Sequence, residues 1–448
     1  MAVTRVIIDT DPGIDDILAL LLALSSSSDE IEVQLISLTF GNIDVRSCLR
    51  NLVSLFYTIE RERSWRCENG KPEGFDALRA CKPIVAVGAS RPLHDETILA
   101  DYFHGRDGLG NIHTSHPHLT PEQTWESLFF PTTEEDEAVA ATAAAALDPS
   151  HHSLFIASKK PAHREILKIL KANDSETVTI VAVGPLTNLA LAAAEDPETF
   201  LRAKEVVVMG GAIDTPGNVT PTAEFNIYAD PSAAARVFAL TSLRPASTMP
   251  PTNPLLASPQ LPAYPAQLSK QLTLKLFPLD ITHEHTITRG QFRAKIAPMI
   301  TAASPLAEWL SIILAHSFAT LDAMHPGHDG DKAALSLHDP LCVWYALTSE
   351  VSSQQGQKQE QQEQQEQGSG WQPSASSPED IRIETAGQWT RGMCVVDRRS
   401  RKRRDDDLDS ISDHGHWLSN LLGNRVQRMV KSPEAEAFGV HMMDRIFG

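Results

Sequence analysis

Cysteine and aromatic side chains are scarce in this chain of 448 residues: five Cys, and 6% Phe, Trp and Tyr together. The cysteines (Cys48, Cys67, Cys81, Cys342, Cys394) are odd in number and fall at no paired spacing. That argues against a disulfide framework and against a cysteine zinc site. Long apolar runs are missing too. The first apolar stretch is too short to span a bilayer and begins among acids, unlike a secretory signal. Positive charge is the minority sign, 39 Lys and Arg against 57 Asp and Glu, for a net charge of -18. A nucleic-acid polymer is therefore excluded as a partner. With no membrane segment expected either, the reading is a soluble cytoplasmic protein.

What the chain does have is acid at one point. Asp9-Thr10-Asp11-Pro12-Gly13-Ile14-Asp15-Asp16 follows the apolar run Val6-Ile7-Ile8 and precedes a Leu- and Ala-rich stretch of helical character. Pro12-Gly13 forces a tight turn between strand and helix, so the carboxylates converge. Like charges so close repel unless a cation sits among them, and carboxylate oxygens suit hard divalent ions such as Ca2+ or Mg2+. Asp in a first helical turn also complements the helix dipole. That accounts for Asp15 and Asp16 but not for Asp9 and Asp11 on the strand side. An EF-hand does not fit, because the twelfth residue of a loop starting at Asp9 is Leu20 and not Glu.

Strand-like and helical segments alternate. Strands are predicted over 3–8, 33–40, 83–88, 178–183 and 205–209, and helices over 14–24, 46–60, 134–147 and 187–194. Such repetition predicts one α/β domain with an open, mostly parallel central sheet and helices on both faces. Three segments break the pattern and read as insertions: 62–81, the Pro- and Ser-rich 244–273, and the Gln/Glu-rich 352–378, whose composition predicts disorder. The basic run Arg398-Arg399-Ser400-Arg401-Lys402-Arg403-Arg404 meets Asp405-Asp406-Asp407. It reads as a solvated, self-neutralising loop in preference to a nuclear-entry signal.

Three further constellations carry polar chemistry. Gly217-Asn218-Val219-Thr220 and Ala223-Glu224-Phe225-Asn226 present two amides and a carboxylate, a donor and acceptor set suited to vicinal hydroxyls. Asn residues that merely form turns are the plain alternative. Leu337-His338-Asp339-Pro340-Leu341 opens an apolar helical run. There Asp339 reads either as a helix cap or as a further metal ligand, with His338 beside it able to transfer a proton. His104-Gly105-Arg106-Asp107-Gly108-Leu109-Gly110 is a Gly-rich loop without a phosphate-binding spacing.

In combination these motifs resemble the inosine–uridine-type nucleoside hydrolases, which cleave ribonucleosides at the N-glycosidic bond. Segments 9–16, 104–110, 217–226 and 338–341 match in the expected order, with support from Gly41-Asn42 and from Gly184-Pro185-Leu186-Thr187-Asn188. The likeness runs from residue 1 to about 347 and resumes near Arg391-Gly392-Met393 and Val395-Val396-Asp397. It implies one bound Ca2+, held by Asp11, Asp16, Asp339 and the backbone carbonyl of Val183. Asp11 would also be the general base for the attacking water, with Asp9 orienting the turn. Asp15, Asn42, Asn218, Glu224 and Asn226 would hold the ribose hydroxyls. His338 would protonate the departing base, and His104 would line the pocket. The implied partner is a ribonucleoside substrate, and the implied assembly a homodimer or homotetramer. The sequence departs from the family run at Arg106-Asp107-Gly108-Leu109-Gly110 and in the Pro-rich insertion before Leu279-Asp280-Ile281-Thr282-His283. Those differences bear on base preference and subunit contacts, not on the metal ligands.

Two other readings share some of these features. A haloacid dehalogenase-type phosphatase also begins with a strand and Asp-x-Asp, yet Gly13 stands where that pattern needs Thr or Val, and the 217–226 loop has no part in it. A non-catalytic Ca2+- or ribonucleoside-binding protein would have no need of Asp11 together with His338.

Overall fold

Val6, Ile7 and Ile8 of strand β1 (Thr4–Thr10) are all sealed from solvent, an unbroken apolar run of the kind a strand covered on both faces requires. The computed structural model describes residues 3–121, 123–130, 154–250, 261–324, 330–359, 370–405 and 412–448. On one side of β1 the chain lays β2 (Ile31–Leu38), β3 (Ile84–Val87) and β4 (Ile156–Ser158) in succession. On the other side it lays β5 (Val178–Ala182), β6 (Glu205–Met209) and β7 (Leu274–Phe277), all parallel. β8 (Thr286–Thr288) and β9 (Ala334–Ser336) form a separate antiparallel pair. β10 (Gln372–Pro373) is followed by the hairpin of β11 (Ile381–Ile383) and β12 (Cys394–Val396). β13 (Gln427–Lys431) then joins the main sheet in parallel beside β7, and β10 closes that edge antiparallel to it. The nine strands run β10-β13-β7-β6-β5-β1-β2-β3-β4.

The strand order therefore reverses between β1 and β5. In an open α/β sheet the crevice at such a reversal, beyond the carboxyl ends of the strands, is where ligands bind. Asp11 leaves β1 and Val183 leaves β5 at that crevice.

Alternate residues of β1 feed two cores. Val6 and Ile8 pack with helices Ile14–Ser25, Val45–Glu68, Pro305–Met324 and Phe438–Phe447, while Ile7 packs with helices Ala162–Ala172, Thr187–Glu195 and Pro231–Ala239. Helix Ile14–Ser25 is apolar nearly all round and is buried accordingly. It packs along helix His338–Gln359, and this contact brings the acids that open the two helices together.

The fold corrects several expectations. The helix expected over 46–60 runs Val45–Glu68, and a short helix Asp76–Ala80 follows, so 62–81 is not a continuous loop. A buried charge network holds the extension. Glu62 pairs with Arg66 at 2.8 Å and accepts from Ser304 Oγ at 2.6 Å and from the Leu306 backbone at 3.1 Å. Arg66 reaches the carbonyl of Ile446 at 3.0 Å. Of the 244–273 insertion, 251–260 lies outside the described residues, and Tyr264, Leu268 and Leu272 are buried in the second core. Of the 352–378 tract, residues 352–359 continue the helix from His338, and 360–369 lie outside the described residues. Trp371 packs edge-on against Phe277 and Tyr345 at 5.7 and 5.3 Å, so the disorder expected there does not extend to its end. The helix expected over 134–147 lies outside the described residues. In the basic run, Arg398 pairs with Asp214 and Arg399 with Asp397. Among the described residues no helix is long and apolar enough to cross a membrane.

Candidate active site

The turn after β1 is folded around its own acids. The Asp16 carboxylate accepts from the Thr10 hydroxyl, from the Asp11 backbone N–H at 3.2 Å and from that of Gly13 at 3.0 Å. The last of these caps helix Ile14–Ser25. The Asn42 side chain completes the grip on Asp16 at 2.9 Å. The backbone of the same residue donates to Asp11 Oδ2 at 2.7 Å. Asp11 Oδ1 is buried without a hydrogen-bond partner. Glycine is required on both flanks of this carboxylate: a Cβ on Gly41 would come within 2.0 Å of Asp11 Oδ2, and one on Gly184 within 2.4 Å of Oδ1. Asp9 points to the second face, where Ser37 and Asn188 donate to its Oδ1. It ties β1, β2 and helix Thr187–Glu195 together.

Asp339 arrives from the far end of the sequence. Oxygens of Asp15, Asp16 and Asp339 lie within 4.8 Å of one another. Asp11, expected to be a member of the ligand set, stands outside that trio but close enough for its charge to act on Asp339. Burial first, and repulsion by Asp16 next, push the Asp15 carboxyl up to about 7, and a hydrogen bond with Asp339 partly offsets this. Asp11 and Asp339 are driven well above the usual carboxylate range, by burial foremost and then by their acidic neighbours. Burial also raises Asp16 and Glu224. Several acids held this way remain uncharged or recruit a cation.

The residues present fit a hard cation. The donor set is all oxygen, and buried oxygens of Asp11 and Asp15 have no partner. Asp16 already takes donors on both oxygens, so it would enter an ion's shell only by sharing one. The Val183 carbonyl accepts from the Asn226 amide at 2.9 Å, which leaves it a second lone pair.

Beside this cluster lies a cavity of about 230 Å³. Asp15, Asn42, His104, Val183, Asn218, Glu224, Asn226, His338 and Asp339 all line it, while Asp11 and Asp16 sit behind the lining. The 217–226 loop uses part of its polarity on itself. Asn218 Oδ1 accepts from the Phe225 backbone at 2.9 Å, as a turn-forming Asn would. The Glu224 carboxylate caps helix Phe225–Ala229 and accepts from Gly211 N–H at 2.8 Å. Asn226 spends its amide hydrogens on the Val183 and Met209 carbonyls. Among the described residues the Asn218 amide and the Asn226 side-chain oxygen take no protein partner, which leaves them to a ligand in the cavity they line.

His104 Nδ1 accepts the Ile14 backbone N–H at 3.2 Å, which leaves the ring hydrogen on Nε2. His338 shares its Nδ1 with the Thr282 hydroxyl at 2.7 Å. Burial, reinforced by neighbouring histidines, holds both rings down to about 3, so each is neutral near pH 7.

The lining also includes residues that the sequence did not single out, among them Tyr102, Phe103, Met209, His283, Leu321, Met324, Leu335 and Ser336. Tyr102 and Phe103 directly precede His104, and His283 ends a segment of familial appearance, so those three had a signal. Leu321 and Met324 sit on helix Pro305–Met324, where an apolar residue reads as core.

Comparison with known proteins places the chain in a family. The family model described as inosine-uridine preferring nucleoside hydrolase matches residues 6–414. An uncharacterised protein of Schizosaccharomyces pombe is 29% identical over 395 residues, covering 88% of this chain and 89% of its own. The pyrimidine-specific ribonucleoside hydrolase RihA of Salmonella agona is 27% identical over 398 residues, 88% of each chain. Among solved structures, the plant nucleoside hydrolase PpNRh1 enzyme superposes with a TM-score of 0.61 at 22% identity, over 99% of this chain and 98% of that one. The purine-preferring ribonucleoside hydrolase from Gardnerella vaginalis does so with a TM-score of 0.61 at 20% identity, over 99% and 98%. Both share the fold.

Proposed function

The chain belongs to the inosine-uridine preferring nucleoside hydrolase family, and on that premise we propose that it hydrolyses uridine, inosine and related ribonucleosides to ribose and free base with a Ca2+ ion in the acidic cluster. The observation that carries the reading is the meeting of Asp15 and Asp16 with Asp339 at the wall of a cavity large enough for a sugar.

Asp11, Asp16, Asp339 and the Val183 carbonyl would hold the ion, with Asp15 a further candidate because it belongs to the close trio. Ca2+, when bound, would neutralise the clustered charge and polarise a water for attack. Asp11, whose Oδ1 is left without a protein partner, would be the general base for the attacking water. The water oxygen bonds to the anomeric carbon as the carbon–nitrogen bond breaks, and its electron pair leaves with the base. His338 supplies the proton the base needs. Its ring is neutral near pH 7, so the proton must be taken up as substrate binds. Oxocarbenium character on the ribose is stabilised by the surrounding carboxylates.

Asp15, Asn42, Asn218, Glu224 and Asn226 would hold the ribose hydroxyls. A 2′-deoxyribose would leave some of these groups unpaired, which predicts strong preference for ribonucleosides. Phe103, Leu321, Met324 and Leu335 add an apolar wall for a nucleobase. That some relatives are named pyrimidine-specific supports uridine and cytidine as the better substrates of this chain. A homodimer or homotetramer is the assembly we propose, testable by light scattering. The activity is tested by measuring free ribose from uridine, inosine, cytidine and adenosine, with and without chelator. Ribose release that chelation abolishes and Ca2+ restores supports the reading. Nucleoside binding without any ribose contradicts it.

A further inference from the structure

His338 is held from behind by a residue the chemistry above does not use. Thr282 is fully buried, and its hydroxyl lies 2.7 Å from His338 Nδ1. Among the described residues no other protein group bonds that ring, and Nε2 is left to the cavity. The two backbones are locked in register. β8 and β9 pair Thr286 with Ser336, and the Leu337 N–H donates to the His285 carbonyl at 2.8 Å. The separation of Thr282 from His338 is therefore set by the ladder, and the hydroxyl sets the ring. A neutral imidazole carries one hydrogen, and its position is decided by the partner of the other nitrogen. A leaving base needs a donor at Nε2; in the neutral ring that requires Nδ1 to accept, and once the ring has taken up its proton the same hydroxyl can turn to accept from Nδ1–H.

We propose that Thr282 is a positioning residue for the reaction: its hydroxyl donates to His338 Nδ1 and keeps the ring hydrogen on Nε2, facing the departing base. The inference rests on the proposed hydrolysis, and it extends that function to a side chain that touches neither sugar nor base. His283, exposed at the rim with its ring 5.4 Å from that of His338, flanks the imidazole but makes no hydrogen bond to it.

The test compares Thr282→Val and Thr282→Ser with the wild-type chain on uridine and on p-nitrophenyl riboside, whose leaving group departs without a proton. Thr282→Val should lower kcat on uridine about tenfold at nearly unchanged KM, spare p-nitrophenyl riboside, and be rescued by Thr282→Ser. Equal losses on both substrates, or wild-type kcat on uridine for Thr282→Val, would overturn the inference while leaving the hydrolase reading intact. No ribose from the wild-type chain would overturn that reading and this inference with it. A measurement on the wild type alone guards against a variant that fails to fold. Long-range 1H–15N spectra should show the His338 hydrogen on Nε2, and finding it on Nδ1 would refute the assignment.

Discussion

The side-chain amide of Asn42 donates to Asp16 Oδ2 at 2.9 Å, joining the loop after β2 to the first turn of the helix after β1. The same amide reaches the Asp11 carbonyl at 3.2 Å. The acidic turn is thus braced by a residue that also lines the cavity. Asn42→Ala should lower kcat/KM on uridine about 10- to 100-fold, the usual loss when a group orienting metal-binding residues is removed. Steady-state kinetics beside an unchanged circular dichroism spectrum would check it.

Gly184→Ala tests the position of Asp11 without altering an acid. The new Cβ would fall 2.4 Å from Asp11 Oδ1, and 3.1 Å from the Thr39 methyl, so the carboxylate must move. Displacement of a reacting group by about 1 Å costs on the order of 100-fold in rate. Full activity in this variant would show that Asp11 need not stand where it does.

The clustered acids make stability depend on pH and on the ion together. Asp9 and Asp15 are raised to about 7, so between their ordinary value and that point the folded state binds more protons than the unfolded one. Their contribution is present at low pH and is lost as pH rises toward 7. His104 and His338 pull the other way. Held down to about 3, they bind fewer protons folded than unfolded, so their contribution is present above about 6.5 and is lost as pH falls. A cation in the cluster replaces the proton of Asp15, and not that of Asp9 on the second face or those of the histidines. Ca2+ should therefore raise the melting temperature more at pH 8 than at pH 5. Scanning calorimetry with Ca2+ or chelator checks it, and equal shifts at the two pH values would count against an ion among these carboxylates.

The N-terminal half of the fold was legible because its strands are short apolar runs ending in turn residues. Val6-Ile7-Ile8 into Asp9 through Gly13 carries strand, turn and helix start in one line of sequence. β7 and β13 were not legible. Leu274–Phe277 follows a Pro-rich stretch, and Gln427–Lys431 alternates polar residues because it lies near a sheet edge. The Glu62–Arg66 pair looks like exposed helix surface, and only the tertiary fold buries it. In the site, acids, amides and histidines advertise themselves by type and spacing. The role of Thr282, and the apolar wall of Leu321 and Met324, depend on what the fold sets opposite them.

Trp371 marks where the chain rejoins the core after the Gln/Glu-rich tract. It packs on Phe277 and Tyr345, and its Nε1 donates to Thr348 Oγ1 at 2.9 Å. Trp371→Ala should destabilise by about 3 kcal/mol, the lower end for a large aromatic because the ring is only partly buried. Urea unfolding measures it, and a loss under about 1 kcal/mol would mean that this segment is not anchored as described.

Free ribose released from uridine by the Asp11→Ala chain, set beside the wild type in saturating Ca2+, decides whether Asp11 is the base. Steady release by the wild type is expected, with a loss of at least about 1,000-fold in the variant, whose folded spectrum is unchanged. Turnover by Asp11→Ala within about tenfold of wild type would contradict it, because the proton of the attacking water would then have another acceptor.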